Sequence, residues 1–190
     1  MEIIAEKKKA ILESTLKLIK ENGFHGTPMS LVAKKAGVAA GTIYHYFDSK
    51  DTLIMELFEY TQFRLQQAML KNLREDMDFK EGFFLRWTSR YHFFIQNPDV
   101  LFFIEQFVNS PYFPRCPQER NERIQNEIKQ FIGIGKEQGV FRDLDQNLMS
   151  IMVHSSIITA AKIQIDGKLV LGENEISQLA QMMWDSIRKQ

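Results

Sequence analysis

The chain has 190 residues, 44% of them hydrophobic, with 24 basic and 24 acidic side chains and a single cysteine. That length can bury a core in one domain or two small ones, and a lone Cys116 excludes an intrachain disulfide and points to a reducing compartment. The zero net charge hides a split: residues 1–50 carry eight lysines against five acids, while residues 51–190 carry 16 basic against 19 acidic side chains, a division that suits a nucleic-acid module joined to something else.

The opening MEIIAEKKKAIL lacks the shape of a secretion signal, and no apolar run reads as long enough to span a bilayer, so a soluble, cytoplasmic protein with no membrane partner is expected. From about Ile4 to Asn22, Ile11, Thr15, Leu18 and Ile19 recur at helical spacing, with lysines and glutamates on the other face. Asn22-Gly23 stops that helix. Thr27-Pro28 then reads as an N-cap followed by proline at the first helical position, and the second helix runs to Gly37, a natural left-handed stop. A third helix fits only between about Ala40 and Tyr46, and Asp48 or Ser49 caps a fourth that runs toward Lys71. Helix, short helix, glycine turn and short helix have the size and joint of a helix-turn-helix.

Arg74 to Asp78 is a polar break. Helices follow over about Phe79–Gln96 and Asp99–Asn109, then a loop with prolines 111, 114 and 117, then a polar helix ending near Gly139. Two closing helices span about Leu144–Asp166 and Glu173–Arg188. No internal repeat or low-complexity segment interrupts them, and fifteen phenylalanines against five prolines agree with an all-α fold class.

The stretch FHGTPMSLVAKKAGVAAGTIYHYFDSKDTL, Phe24 to Leu53, resembles the DNA-binding region of the TetR/AcrR family of bacterial transcription factors. The likeness lies in a Thr-led second helix, Ala-x-x-x-Gly-Val, then Gly-Thr-Ile-Tyr-x-Tyr-Phe, then a lysine. It implies a three-helix DNA-binding domain over residues 1–48 and a helical effector-binding and dimerisation domain over 49–190. It also implies a homodimer on a palindromic double-stranded operator, released by a small effector. The expected DNA contacts are Thr27, Ser30, Ala39, Ala40, Gly41, Thr42, Tyr44, His45, Tyr46 and Lys50. Gly41 lets backbone approach DNA, Thr42 and the tyrosines offer hydroxyls to phosphates, and Ile43 and Phe47 pack inward. A lysine in a helix's first turn opposes the macrodipole, so Lys50 makes sense beside a phosphate. Where the family often has Ser-Lys, this chain has Ala39-Ala40, which can neither cap a helix nor hydrogen-bond a base. Base readout is therefore expected to be sparse and to lean on Ser30, Tyr44, apolar contact and DNA shape.

Residues 83–113 concentrate aromatic rings, with Phe84, Trp87, Tyr91 and Phe94 on one helical face and Phe103 and Phe107 on the next helix. Such stripes ordinarily form core. Here rings surround the helix and Arg90, His92, Gln106 and Asn109 sit among them, which also suits a pocket for a hydrophobic or aromatic effector. The expected pocket residues are Phe84, Trp87, Tyr91, Phe94, Phe103, Gln106, Phe107, Phe113 and His154. His154 itself reads as a core or subunit-seam histidine before a metal ligand or base. Cys116 reads as an ordinary loop cysteine, with a redox sensor the sharper alternative. Ile176, Leu179, Ala180, Met183 and Ile187 share a wide apolar face on the last helix, and a four-helix seam between subunits is expected through Met152, Ser156, Ile163, Ile176, Leu179, Met183 and Ile187. No catalytic constellation, metal site or cofactor motif is visible, so a regulator, most simply a repressor, is expected before an effector-independent activator or architectural DNA binder, and an enzyme last.

Overall fold

Periodic apolar runs become helices here wherever a side chain or a glycine can start and stop them. A computed structural model describes residues 6–74, 76–115 and 118–189, with the backbone alone for 118–126. Cys116 lies outside the described residues. In chain order the elements are α1 (Glu6–Asn22), α2 (Met29–Lys35), α3 (Ala40–Tyr46), α4 (Lys50–Leu70), α5 (Phe79–Gln96), α6 (Pro98–Val108), a 3-10 turn (Phe113–Arg115), α7 (Gln118–Glu137), α8 (Gln146–Ile165) and α9 (Glu173–Ile187). Among the described residues there is no strand, only an isolated antiparallel bridge between Phe141 and Arg188. The all-α expectation holds.

The caps explain the boundaries. Thr52 N–H donates to Ser49 Oγ (3.1 Å) at the start of α4, and Glu81 N–H donates to Asp78 Oδ1 (2.8 Å) at the start of α5. Asp145 accepts from the N–H groups of Asn147 and Leu148 at the start of α8. Each satisfies first-turn donors that a helix leaves open. The second helix corrects its expected start. Pro28, not Thr27, stands at the cap position, with its carbonyl accepting from Leu31 and Val32.

The chain divides into two compact units that do not follow chain order: Met1–Phe63 with Asp99–Pro117, and Arg64–Pro98 with Gln118–Gln190. The head unit buries Ile11, Leu12, Leu16 and Ile19 of α1, Val32 and Ala33 of α2, Ile43 and Phe47 around α3, and Leu53, Ile54, Leu57 and Phe58 of α4. From α6 it adds Phe103 and Phe107, and the Phe107 ring stacks on Phe58 with centroids 4.1 Å apart. Phe24, in the α1–α2 turn, packs its ring on Phe103 and Tyr112, and Arg115 pairs with Asp51 at 3.0 Å.

In the second unit α5 packs on α8 and α9, and α7 packs on α8. Phe79, Phe131, Phe141 and Trp184 form an aromatic knot at one end. The chain's last described residues return to it, Lys189 N–H donating to the Val140 carbonyl and Arg142 N–H to the Ile187 carbonyl. One expectation is corrected here. The twenty-residue α8 is long and apolar enough, by length and composition alone, to cross a membrane. Its Met149, Val153, Ile157, Ala160 and Ala161 are instead buried in this unit.

Gly135 is where the knot has no slack, because a Cβ there would lie 2.3 Å from the Phe141 ring. Gly135→Ala is expected to cost about 1–3 kcal/mol by overpacking. Thermal unfolding checks this, with a fall of roughly 3–10 °C expected for a chain of this size.

Candidate functional site

The α2–α3 pair is built by a single left-handed glycine. Gly37 has φ +67°, a conformation open to glycine at little cost, and Val38 N–H returns to the Ala33 carbonyl at 3.0 Å. The chain then turns into α3, where Ile43 and the following Phe47 are wholly buried. With those two anchors inward, the opposite face of α3 points to solvent. Ala39, Ala40, Gly41, Tyr44 and His45 are exposed, and Thr42 and Tyr46 are half-buried. Tyr44 is 54% exposed, a large ring left uncovered by its own unit. Ser30 on α2 is exposed too, as is Lys34 one turn on. Lys34 was not among the expected contacts, although its spacing from Ser30 places both on one helical face.

Ala39 caps α3 without a side-chain hydrogen bond, as alanine must. Gly41 has an ordinary φ, and a Cβ built on it meets nothing within 4 Å. The fold therefore has no steric need of glycine there. Two expected contacts change standing. Thr27 is 2% exposed and its hydroxyl donates to the Gly23 carbonyl (2.8 Å), so it braces the α1–α2 turn and offers no side chain outward. Lys50 is half-buried and its ammonium donates to the Phe24 carbonyl. That carbonyl gives a lysine in the first turn of α4 an acceptor within the protein.

The expected effector residues fall in both units. In the head unit, Phe103 and Phe107 are fully buried core, Phe113 meets Phe107 edge-on at 6.2 Å, and Gln106 lies over the Gly23 turn. In the second unit, Trp87, Tyr91 and Phe94 are fully buried and Phe84 is half-buried. The Trp87 and Tyr91 rings stack at 5.9 Å, and the Trp87 indole N–H donates to Ser156 Oγ (3.0 Å). Phe83, Trp87, Ile128, Val153 and Ile157 line a narrow apolar crevice with Arg86.

A charged cluster sits beside these rings that sequence reasoning largely missed. Arg90 is buried, and Arg86, one turn earlier on α5, shares with it a single carboxylate, Glu127 of α7, at 3.4 and 3.3 Å respectively. Arg90 also reaches Met69 Sδ on α4 and His154 Nδ1 on α8. Burial, then the positive charge of Arg90, lowers the His154 pKa to about 4, so this imidazole is neutral at pH 7. The signal for the cluster was the Arg86–Arg90 spacing in an otherwise apolar helix.

The expected seam residues divide as well. Ile176 and Ile187 face inward with Ala180 and Trp184, so their placement in a subunit seam is corrected. Ser156 is occupied by the indole of Trp87. Met152 is exposed, joined by Leu148 and Ile151 on α8 and Met182 on α9, while Ile163, Leu179 and Met183 are half-buried. Among the described residues no group of histidine, cysteine and carboxylate side chains could hold a metal ion.

The family model described as bacterial regulatory proteins, tetR family, matches residues 11–57. A second, described as tetracyclin repressor-like, C-terminal domain, matches residues 58–189. An uncharacterised HTH-type transcriptional regulator of Haemophilus influenzae is 28% identical over 184 residues, covering 94% of each chain. A fatty acid metabolism regulator protein of Bacillus subtilis is 37% identical over 71 residues, 37% of each chain. Among solved structures, a tetR family transcription regulator from Shewanella superposes with a TM-score of 0.83 at 27% identity, over 97% of this chain and 99% of that one.

The depressed His154 pKa has a signed consequence for stability. The unfolded chain takes up the proton near the ordinary value of 6.5, the folded chain only near 4. Stability therefore rises from pH 4 to 6.5 and levels off above, this one group supplying a slope of up to about 1.4 kcal/mol per pH unit. Denaturant titrations across that range should show the slope, and His154→Gln should flatten it.

Proposed function

Because the chain belongs to the TetR family of bacterial transcriptional regulators, with its DNA-binding domain at the N-terminus, we propose that it is a dimeric, cytoplasmic repressor released from a palindromic operator by a small apolar effector. One observation carries the DNA side of this reading. The outward face of α3 is made of small residues around Gly41, where a Cβ would meet nothing within the protein. A glycine inside a helix costs roughly 1 kcal/mol relative to alanine, and close approach of a phosphate or groove wall to the backbone supplies a reason to keep it. Tyr44 stands exposed beside it as the long-reach contact, Thr42 and Tyr46 reach phosphates by hydroxyl, and Ser30 and Lys34 line the neighbouring helix. Ala40 offers only a methyl group, so base readout is sparse and DNA shape carries much of the choice. Lys50 keeps two ammonium protons beyond the one given to Phe24, and its phosphate contact is a second duty.

The dimer supporting this use is formed by the exposed Leu148, Ile151 and Met152 of α8 with the exposed Met182 and half-buried Leu179 of α9. Two recognition helices then enter successive major grooves about 34 Å apart. The effector acts from the second unit, through α4, whose residues belong to both units. Linkage requires the operator to weaken effector binding by the same factor, a coupling of typically ~1–3 kcal/mol. An effector-independent activator remains the reading if operator affinity ignores every ligand.

Selection of random duplexes by the purified protein at fixed salt is expected to enrich an inverted repeat. Binding without sequence preference that vanishes as salt rises would falsify operator recognition. Gly41→Ala separates contact from fold. Its melting temperature should stay level or rise, while operator affinity falls by roughly tenfold, about 1.4 kcal/mol. Ile151→Glu is expected to give folded monomers in sedimentation velocity, with operator binding lost along with the dimer.

A further inference from the structure

The charged cluster of the second unit is out of balance. Arg86 and Arg90 each lean on one oxygen of Glu127, and the facing His154 is neutral. Among the described side chains, two positive charges thus meet one negative. Arg90 is 3% exposed, and its partners are long or weak: Glu127 Oε2 at 3.4 Å, His154 Nδ1 at 3.5 Å and the weakly accepting Met69 Sδ at 3.3 Å. The Nε of Arg90 meets no hydrogen-bond acceptor among the described residues, while that of Arg86 faces Glu127 Oε1 at 3.3 Å and its Nη1 donates to the Gly82 carbonyl (3.0 Å). A guanidinium cannot shed its proton to escape such a place, and a buried cation held by long contacts is unfavourable until an anion meets it. Arg86 also lines the apolar crevice, with Trp87, Phe83, Val153 and Ile157 around it.

A buried, under-compensated Arg90 one helical turn from the Arg86 that lines an apolar crevice matches one chemical class, an apolar molecule that ends in a carboxylate. We propose that the effector is an amphipathic carboxylic acid, its carboxylate seated on the fork of Arg90 with Arg86 as second cation, and its hydrocarbon directed to the crevice between Trp87 and Val153, which at about 10 Å³ must widen to admit it. This rests on the effector reading above and narrows it. A neutral aromatic would leave the Arg90 Nε donor bare, and an organic cation would be repelled. In the CoA thioester of the same chain the carbonyl that would face Arg90 is uncharged, and the negative charge sits on remote phosphates.

Decanoate, decanol and decanoyl-CoA, applied to the full chain below their micelle concentrations, test the assignment by thermal unfolding and by operator release. Decanoate is expected to raise the melting temperature by roughly 5–10 °C at a hundredfold excess over its Kd. Decanol and the thioester should do far less. Arg90→Met should weaken decanoate binding by about tenfold or more, with Arg90→Lys retaining part of the response. Glu127→Gln, which frees the fork, should tighten binding, and it reports even where Arg90→Met folds poorly. Equal stabilisation by acid and alcohol overturns the carboxylate assignment while leaving an apolar effector standing. An undiminished decanoate response in Arg90→Met, or no response to decanoate in any variant, overturns it outright and leaves the cluster to the fold. Decanoate bound through Arg90 with the operator still held supports the anion site and counts against the effector reading instead.

Discussion

A seven-residue helix does not hold itself together in water. Nucleation fixes several dihedral angles for one hydrogen bond, so isolated helices below about a dozen residues are marginal. Both α2 and α3 have seven residues, and neither receives a side-chain cap at its start. Their geometry is therefore borrowed from tertiary anchors: Val32 and Ala33 on one, Ile43 and the adjoining Phe47 on the other, and the left-handed turn at Gly37 between them. Everything proposed for DNA depends on that arrangement, since outward residues on so short an element are placed only by what its inward residues touch. The Thr27 hydroxyl and the Lys50 ammonium belong to the same support, the first bracing the α1–α2 turn on the Gly23 carbonyl and the second tying the Phe24 carbonyl of that turn to α4.

The second unit solves a different problem. Its apolar helices need only bury surface, and α8 is apolar enough to do so almost anywhere. Specific placement comes from polar groups set among the rings: the indole of Trp87 on Ser156, and the Arg86–Glu127–Arg90 link between α5 and α7. Buried ionic groups are weak sources of stability, but leaving one unmatched is strongly unfavourable. The neutral state of His154 belongs to this balance, because a protonated imidazole would add a third positive charge beside Arg90.

Much of this was legible from residue order alone. The helix starts at Phe79 and Glu173 and the stop at Gly37 follow from local chemistry: a capping aspartate, a Gly172 N–H accepted by the Glu175 carboxylate, and a glycine in the left-handed region. The exposed face of α3 followed from taking Ile43 and Phe47 as the inward pair. What could not be read was the partner of a side chain across the fold. The internal acceptor of Lys50 was out of reach because the Phe24 carbonyl is 26 residues away in sequence. Thr27 looked like a cap because nothing local reveals that its hydroxyl turns back to Gly23. On α9, Ile176 and Leu179 fit the same apolar stripe, and only tertiary packing decides that the first is buried and the second half-covered. The charge cluster was hidden for the same reason, as Arg86, Arg90, Glu127 and His154 come from three separate helices.

The interleaving of the two units bears on how such a chain can be recombined. Residues 99–117 belong with the head, although the segment before them and the segment after them belong to the other unit. A fragment cut after α4's first half would leave Phe58 without the ring of Phe107, and Phe24 without Phe103 and Tyr112. Heads of this build are not beads on a string that one crossover can exchange between genes. A hybrid that keeps its native packing must switch parents at three junctions, near 63, 98 and 117, so a new operator preference arises more readily by substitution on α2 and α3 than by shuffling.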